Sequence, residues 1–326
     1  MQNEKKLFLE FHRELLGTPA ADLAGMMRRF LHEECTWKGP HPIEAADGIE
    51  SIANRFWTPI KQAFSDLDRK EDILLGGNFE GQGWVAATGH YHGRFDHDWL
   101  GIPANSSKVK LRFGEFARIE DGRICELLTL YDLVAFCRQV GINLLPPDRG
   151  SMDPVPAPET ADGVMLEGQE RGNGERSLIL VEDMIDGLLE YDGSNLDSMG
   201  MQRFWTDNMR WYGPGGIGTT HGLGGFQAQH QGPFLKAFPD RIAAPHAALI
   251  AEGNYVSVTG WPSVVGTHAG DYLVAPASMQ KVGMRVMDFW RNENGLLAEN
   301  WVLIDMLDLF MQLGHDLLAD QLAKTQ

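Results

Sequence analysis

Thiols are scarce: the 326 residues include three cysteines, Cys35, Cys125 and Cys137. An odd number without paired spacing argues against a disulfide framework and against a cysteine zinc site, and it suits a reducing compartment. Positive charge is also short, with 28 Lys and Arg against 45 Asp and Glu and a net charge of −17. Residues 1–146 carry 17 basic and 21 acidic groups, 147–175 carry 2 and 7, and 176–326 carry 9 and 17. Neither half has the basic excess that a phosphate backbone demands, so nucleic acid is not an expected partner. No apolar run reaches the roughly 18 residues of a spanning helix. The start of the chain mixes Glu4, Lys5 and Lys6 with a short apolar run, unlike a secretory leader. A soluble cytoplasmic protein with no membrane partner is therefore expected. Also missing are a Gly-Lys-Ser/Thr phosphate loop, a Gly-x-Gly-x-x-Gly turn between strand and helix, His-Glu-x-x-His and Gly-x-Ser-x-Gly.

What the chain does contain, it contains twice. Met284–Arg291, Asn294-Gly295, Glu299–Asp305 and Gln312-Leu313-Gly314 repeat the frame of Leu111–Arg118, Asp121-Gly122, Glu126, Asp132 and Gln139-Val140-Gly141. Two apolar-rich runs joined at Asp-Gly or Asn-Gly signal a hairpin, because its turn needs the positive φ that Gly and Asn tolerate. Further back, Trp37, Pro40, Gly48, Pro59, Phe64 and Asp66 recur as Trp211, Pro214, Gly222, Pro233, Phe238 and Asp240. Thr88-Gly89 recur as Thr259-Gly260. The repeat implies two copies of one domain, and two domains of about 150 residues match the usual size of a single core. The expected boundaries are 1–146, a Pro/Gly-rich acidic linker at 147–175, and 176–326.

Within the first copy, residues 4–17 and 22–32 show the apolar spacing of amphipathic helices. A short strand follows around Cys35–Trp37. Gly48–Phe64 reads as a third helix bent at Pro59. From Asp72 the period shortens, and Asp72–Leu75, Trp84–His92, Val109–Ile119 and Arg123–Leu130 read as strands of an antiparallel meander. Asp132 and Asp305 stand where a strand passes into a helix and suit N-caps. The fold class is α+β: two tandem domains, each with helices packed on one face of a curved antiparallel sheet around a concave interior.

This combination resembles the SnoaL-like polyketide cyclase family within the nuclear transport factor two-like superfamily. The residues responsible are the aromatic-Gly-Pro loops (Trp37–Pro40 and Trp211–Pro214), Gly48-Ile49 and Gly222-Leu223 opening the third helix, Ala63–Asp66 and Ala237–Asp240, Leu100–Pro103 and Asp121–Ile124. The resemblance implies that each of the two tandem domains is cone-shaped, a curved sheet wrapped around a pocket by three helices, with a small-molecule substrate and chemistry carried by carboxylates and histidines without a cofactor. For the family's cyclases it implies an Asp seven residues after the turn glycine and a His seven residues before it. Those positions hold Thr129 and Val302, and Glu115 and Asp288, so the implied Asp is missing from both copies. It also implies that the two copies pack as an internal pseudo-dimer.

Glu115 and Asp288 are the candidate acid/base groups. Strand alternation puts each among apolar neighbours, which disfavours the charged form and raises the carboxyl pKa. An ion pair with Arg112 or Arg118, or with Arg285 or Arg291, is the structural alternative. His90 and His92 share a strand face and are candidate partners for Glu115, provided that face is the interior. A metal site there is not expected, since His-x-His is only part of a zinc set. In the second copy Trp261 takes the His90 position. Trp37, Trp211, Tyr212, Trp261, Asn300 and His221 are candidate substrate contacts, and Asn300 either orients a substrate oxygen or bonds to Asp288 across the hairpin. Two functions follow: an isomerase, cyclase, dehydratase or related lyase acting on a small apolar carbonyl compound, or a binding or assembly protein with one or both pockets inactive.

Overall fold

The computed structural model describes residues 1–324 and divides the chain into two units. Unit one comprises Met1–Leu144, Thr160–Gly168 and the described residues from Leu318; unit two comprises Leu145–Glu159 and Gln169–Leu317. Each is an α+β domain built on a mixed sheet.

Unit one begins with α1 (Gln2–Gly17), whose Phe8, Phe11, His12 and Leu15 face inward, and α2 (Leu23–Met27). Strands β1 (Leu31–Lys38) and β2 (Ala45–Asp47) lead to the third helix, and the meander β3 (Phe64–Phe79), β4 (Gln82–Phe95), β5 (Lys108–Glu120) and β6 (Arg123–Tyr131) follows. The sheet order is β2-β1-β6-β5-β4-β3. The meander is antiparallel as expected, but β1 joins β6 in parallel. A parallel partner needs a long crossover, and here the third helix and the meander supply it. At the hairpin tip Asp121 and Gly122 adopt φ of 49° and 71°, as Asn294 and Gly295 do at 53° and 88°.

The third helix is divided just before its proline. It runs as α3 (Ile49–Ile52), a π-helical turn (Ala53–Trp57) and α4 (Thr58–Ala63), with Pro59 in the first turn of α4, where a missing N–H costs least. Short α5 (Leu133–Gln139) closes the unit, and Asp132 caps it by accepting from Ala135 N at 3.0 Å.

Unit two repeats the plan. Helix α6 (Arg171–Leu189) starts before the expected domain boundary at 176, inside the stretch read as linker. It is followed by β7 (Trp205–Tyr212), β8 (Thr219–His221), α7 (Gly222–Phe226), a π-helical turn (Gln227–Gln231) and α8 (Gly232–Ala237). Then come β9 (Ile242–Ala243), β10 (Ala248–Glu252), β11 (Tyr255–Thr267), β12 (Lys281–Glu293), β13 (Leu296–Ile304) and α9 (Met306–Gln312). Asp305 caps α9 through Asp308 N at 3.1 Å. One difference matters for the site. Where unit one has the single 16-residue β3, unit two has β9 and β10 separated by Ala244, Pro245, His246 and Ala247. Proline has no N–H for a ladder, so the edge strand is interrupted there.

The proline-rich stretch is bound rather than free. Ser151 pairs with Thr219, and the Trp301 indole donates to Pro156 O at 2.9 Å, all within unit two. Val164 bridges to Leu74, and the Lys5 ammonium donates to Met165 O, within unit one.

Candidate functional site

The two units present the same frame with different contents. In unit one, ladder register places Glu115 between Ala87 and Thr129, and Tyr91 opposite Leu111 and Arg69. Directly paired residues point to the same side of a sheet. Glu115, Tyr91 and Arg69 therefore share the face that α1 covers, and His12 reaches them from that helix. His12 Nε2 approaches Glu115 Oε1 at 2.5 Å. Arg69 lies 2.7 Å from Glu71, 2.5 Å from the Tyr91 hydroxyl and 3.6 Å from Glu115. Thr129 donates to Glu115 Oε2 at 3.2 Å and accepts from the Trp37 indole at 2.9 Å.

This network is sealed: the side chains of His12, Arg69 and Glu115 are 3%, 2% and 1% exposed. Burial pushes the Glu115 carboxyl up, but the charges of His12 and Arg69 and the bonds from His12 and Thr129 outweigh it, and the group sits below its ordinary value. The expected raised carboxyl is thus corrected by partners that the strand pattern did not reveal. Burial and the Arg69 charge push His12 down against the pull of Glu115.

His90 and His92 do not join Glu115. They pair with Arg112 and Lys110, one residue out of phase, and so occupy the other face of the sheet. His90 Nδ1 lies 3.0 Å from Asp72. The arginines proposed as partners are out of phase too: Arg118 pairs with Glu126, Arg285 with Asp305 and Arg291 with Glu299. Trp37 is fully buried and stacks on Phe56 at 3.8 Å.

In unit two the corresponding places are held by smaller or apolar residues. Val264 faces Met284 and Ala243 faces Val264, in the register of Tyr91 and Arg69. Val302 stands opposite Asp288 where Thr129 stands opposite Glu115. The inward pattern of Phe8, Phe11, His12 and Leu15 on α1 maps onto Val181, Met184, Ile185 and Leu188 on α6, so Ile185 takes the place of His12. Removing an arginine, a tyrosine and a histidine leaves space, and a cavity of about 250 Å³ lies there. Met184, Ile185, Val258, Val264, Val286 and Val302 line it, together with Trp205, Trp211, Phe226, Phe234 and Trp290. Leu189 and Ile242, 63% and 60% exposed, also contribute to its lining and place its mouth near α6 and β9.

Polar side chains enter this apolar wall at few points. Asp288 and Asn300 do so from β12 and β13, with Asn300 Nδ2 3.2 Å from Asp288 Oδ1 and 3.1 Å from Phe289 O. The bond between Asp288 and Asn300 across the hairpin is one of the two alternatives read from the sequence. His230 lies on the π-helical turn and stacks on Trp211 at 4.2 Å and on Phe234 at 5.7 Å. Burial, then the charge of Arg149, lowers its pKa to about 3, so the ring is neutral. His246 lines the cavity from the gap between β9 and β10, and burial lowers its pKa against the pull of Glu182. Arg241 stands on the same side with Nη2 3.4 Å from Leu188 O.

Trp211, Asn300 and Asp288 are thus together at one cavity. Tyr212, Trp261 and His221 are not among its lining residues. The Tyr212 hydroxyl donates to Glu299 at 3.0 Å, Trp261 packs under Arg285 at 5.1 Å, and exposed His221 lies 2.5 Å from Arg210. Sequence reasoning missed His12, Arg69 and His230. The signal for His230 was its place one helix beyond the Trp211 loop, aligned with Phe56.

Among the described residues no cluster of His, Cys, Asp and Glu is arranged to hold a metal ion, and no helix is long and apolar enough to cross a membrane. The sequence model of the family described as SnoaL-like polyketide cyclase matches residues 8–140 and 189–313. No curated protein matches the chain. Among solved structures, a SnoaL-like protein of Jannaschia sp. CCS1 is 20% identical over 45% of this chain and 97% of its own, with a TM-score of 0.39. AclR of Streptomyces galilaeus is 24% identical over 43% and 96%, with a TM-score of 0.35. An NTF2-like protein of Burkholderia xenovorans LB400 is 16% identical over 43% and 96%, with a TM-score of 0.34.

Proposed function

The chain belongs to the SnoaL-like polyketide cyclase family, and from that premise we propose that its second domain moves a proton on a small, largely apolar carbonyl compound, with Asp288 as the acid/base group. The reaction is of the isomerase, cyclase or lyase kind. The observation that carries this reading is a carboxylate set in an apolar, aromatic-walled cavity while its counterpart Glu115 is sealed in an ionic network. A carboxylate that reaches bound substrate can take a proton from the carbon beside a carbonyl and return it elsewhere, provided geometry holds the two within hydrogen-bonding reach. Asn300 fixes the orientation of Asp288 through its amide, and the stacked Trp211, His230 and Phe234 offer a flat wall for a ring. His230, neutral and low in basicity, serves as wall rather than base. The first domain supports the second without turnover of its own.

A binding role without turnover is the second reading, favoured by the engagement of Asp288 with Asn300. One assay separates the two. Exchange of the α-hydrogens of 2-tetralone for deuterium, followed by NMR in D2O, reports proton transfer beside a carbonyl whatever the natural substrate. The full-length protein accelerates this exchange, and Asp288→Asn lowers the rate at least ~10²-fold while the melting temperature stays within a few degrees. Exchange unaffected by the protein, or equal in the variant, overturns the proposal.

A further inference from the structure

The amide of Asn300 is almost completely buried, at 3% exposure. Both of its hydrogens point at protein acceptors, Asp288 Oδ1 and Phe289 O. That fixes which end of the amide is which: the oxygen is turned the other way, and Asn300 lines the cavity. Among the described residues no donor reaches this oxygen, and it is not fully sealed within the protein. A buried acceptor left without a donor is costly, and one that opens onto a cavity is a recognition element.

We infer that the ligand of this cavity presents a hydroxyl group to Asn300 Oδ1, on a flat uncharged ring held against Trp211 and His230. The chemistry excludes a ketone oxygen at this point, because two acceptors would face each other. The group at Asn300 is therefore separate from the reacting carbonyl, and the substrate class is a hydroxy-substituted cyclic ketone rather than a simple ketone. The inference rests on the second-domain cavity being the substrate site, and it deepens that reading by making Asn300 a specificity-determining contact.

Binding of three probes to the full-length protein, by calorimetry, tests it without requiring turnover. 2-Naphthol carries the hydroxyl, 2-methoxynaphthalene blocks it and naphthalene lacks it. The wild-type protein binds 2-naphthol at least ~10-fold more tightly than either comparator, since only the hydroxyl supplies the missing donor. Asn300→Leu brings the three affinities together while naphthalene binding persists, which shows that the cavity is still formed. Equal affinities in the wild type, a preference that survives Asn300→Leu, or no binding of any probe overturns the inference. The two claims fail separately: tetralone exchange lost in Asp288→Asn stands even if the hydroxyl preference is absent, and the preference stands even if exchange is not catalysed.

Discussion

His12 Nε2 lies 2.5 Å from Glu115 Oε1 in the interior of the first domain. The helix and the strand that carry them are far apart in the chain, and their meeting closes off a carboxylate that alternation alone would place in a hollow. Arg69 completes the arrangement from β3, 2.7 Å from Glu71. In the second domain Ile185 and Ala243 stand at the corresponding places, and the hollow persists.

Breaking the first-domain network is therefore expected to cost stability rather than activity. Glu115→Ala leaves His12 and Arg69 buried without their carboxylate, a loss of about 3–5 kcal/mol. Equilibrium urea unfolding measures it. Deuterium exchange of 2-tetralone, under conditions where the protein remains folded, stays within about twofold of the wild type. A variant that keeps its stability and loses exchange would move the chemistry to the first domain.

Filling the second-domain hollow has the opposite signature. Val264→Tyr places at this position the side chain that Tyr91 supplies in the first domain. The added ring occupies space now open to ligand, so 2-naphthol affinity drops at least ~10-fold while the melting temperature holds or rises. Unchanged affinity would mean that ligand binds elsewhere.

Acid sensitivity follows from the neutral His230. Its folded pKa, about 3, lies below the ordinary 6.5. Below pH 6.5 the unfolded chain binds a proton there that the folded chain refuses. The stability contribution is complete above pH 6.5 and is lost as pH falls toward 3, at no more than about 1.4 kcal/mol per pH unit. His12, also lowered, acts in the same direction, and Glu115 adds its loss only below its ordinary 4.5. His230→Phe, which copies Phe56, should flatten the fall in urea midpoint between pH 8 and pH 5. An equal slope in the variant would assign the sensitivity to other groups.

Much of the frame was legible in the residues. The Asp-Gly and Asn-Gly turns, the capping Asp132 and Asp305 and the common parity of Asp288 and Asn300 are local properties, decided within a hairpin or a helical turn. The contents of each hollow were not legible. Glu115 and Asp288 occupy equivalent positions in corresponding strands, and their different surroundings are decided by α1 or α6 and by β3 or β9, which sequence spacing does not connect to the hairpin. The pairing of His90 with Glu115 failed by a single step of strand phase: which face of β4 is interior depends on Tyr91 meeting Arg69. His12 looked like one polar residue on an otherwise ordinary amphipathic helix.

The divided path of the proline-rich stretch bears on any attempt to excise the second half. Trp301 and Glu299 take their partners from Pro156 and Glu159, upstream of the helix at which the repeat visibly restarts. A fragment beginning at residue 176 would strip those partners from the outer side of its own sheet and shorten α6 at its first turn, so a self-sufficient piece has to begin no later than Leu145.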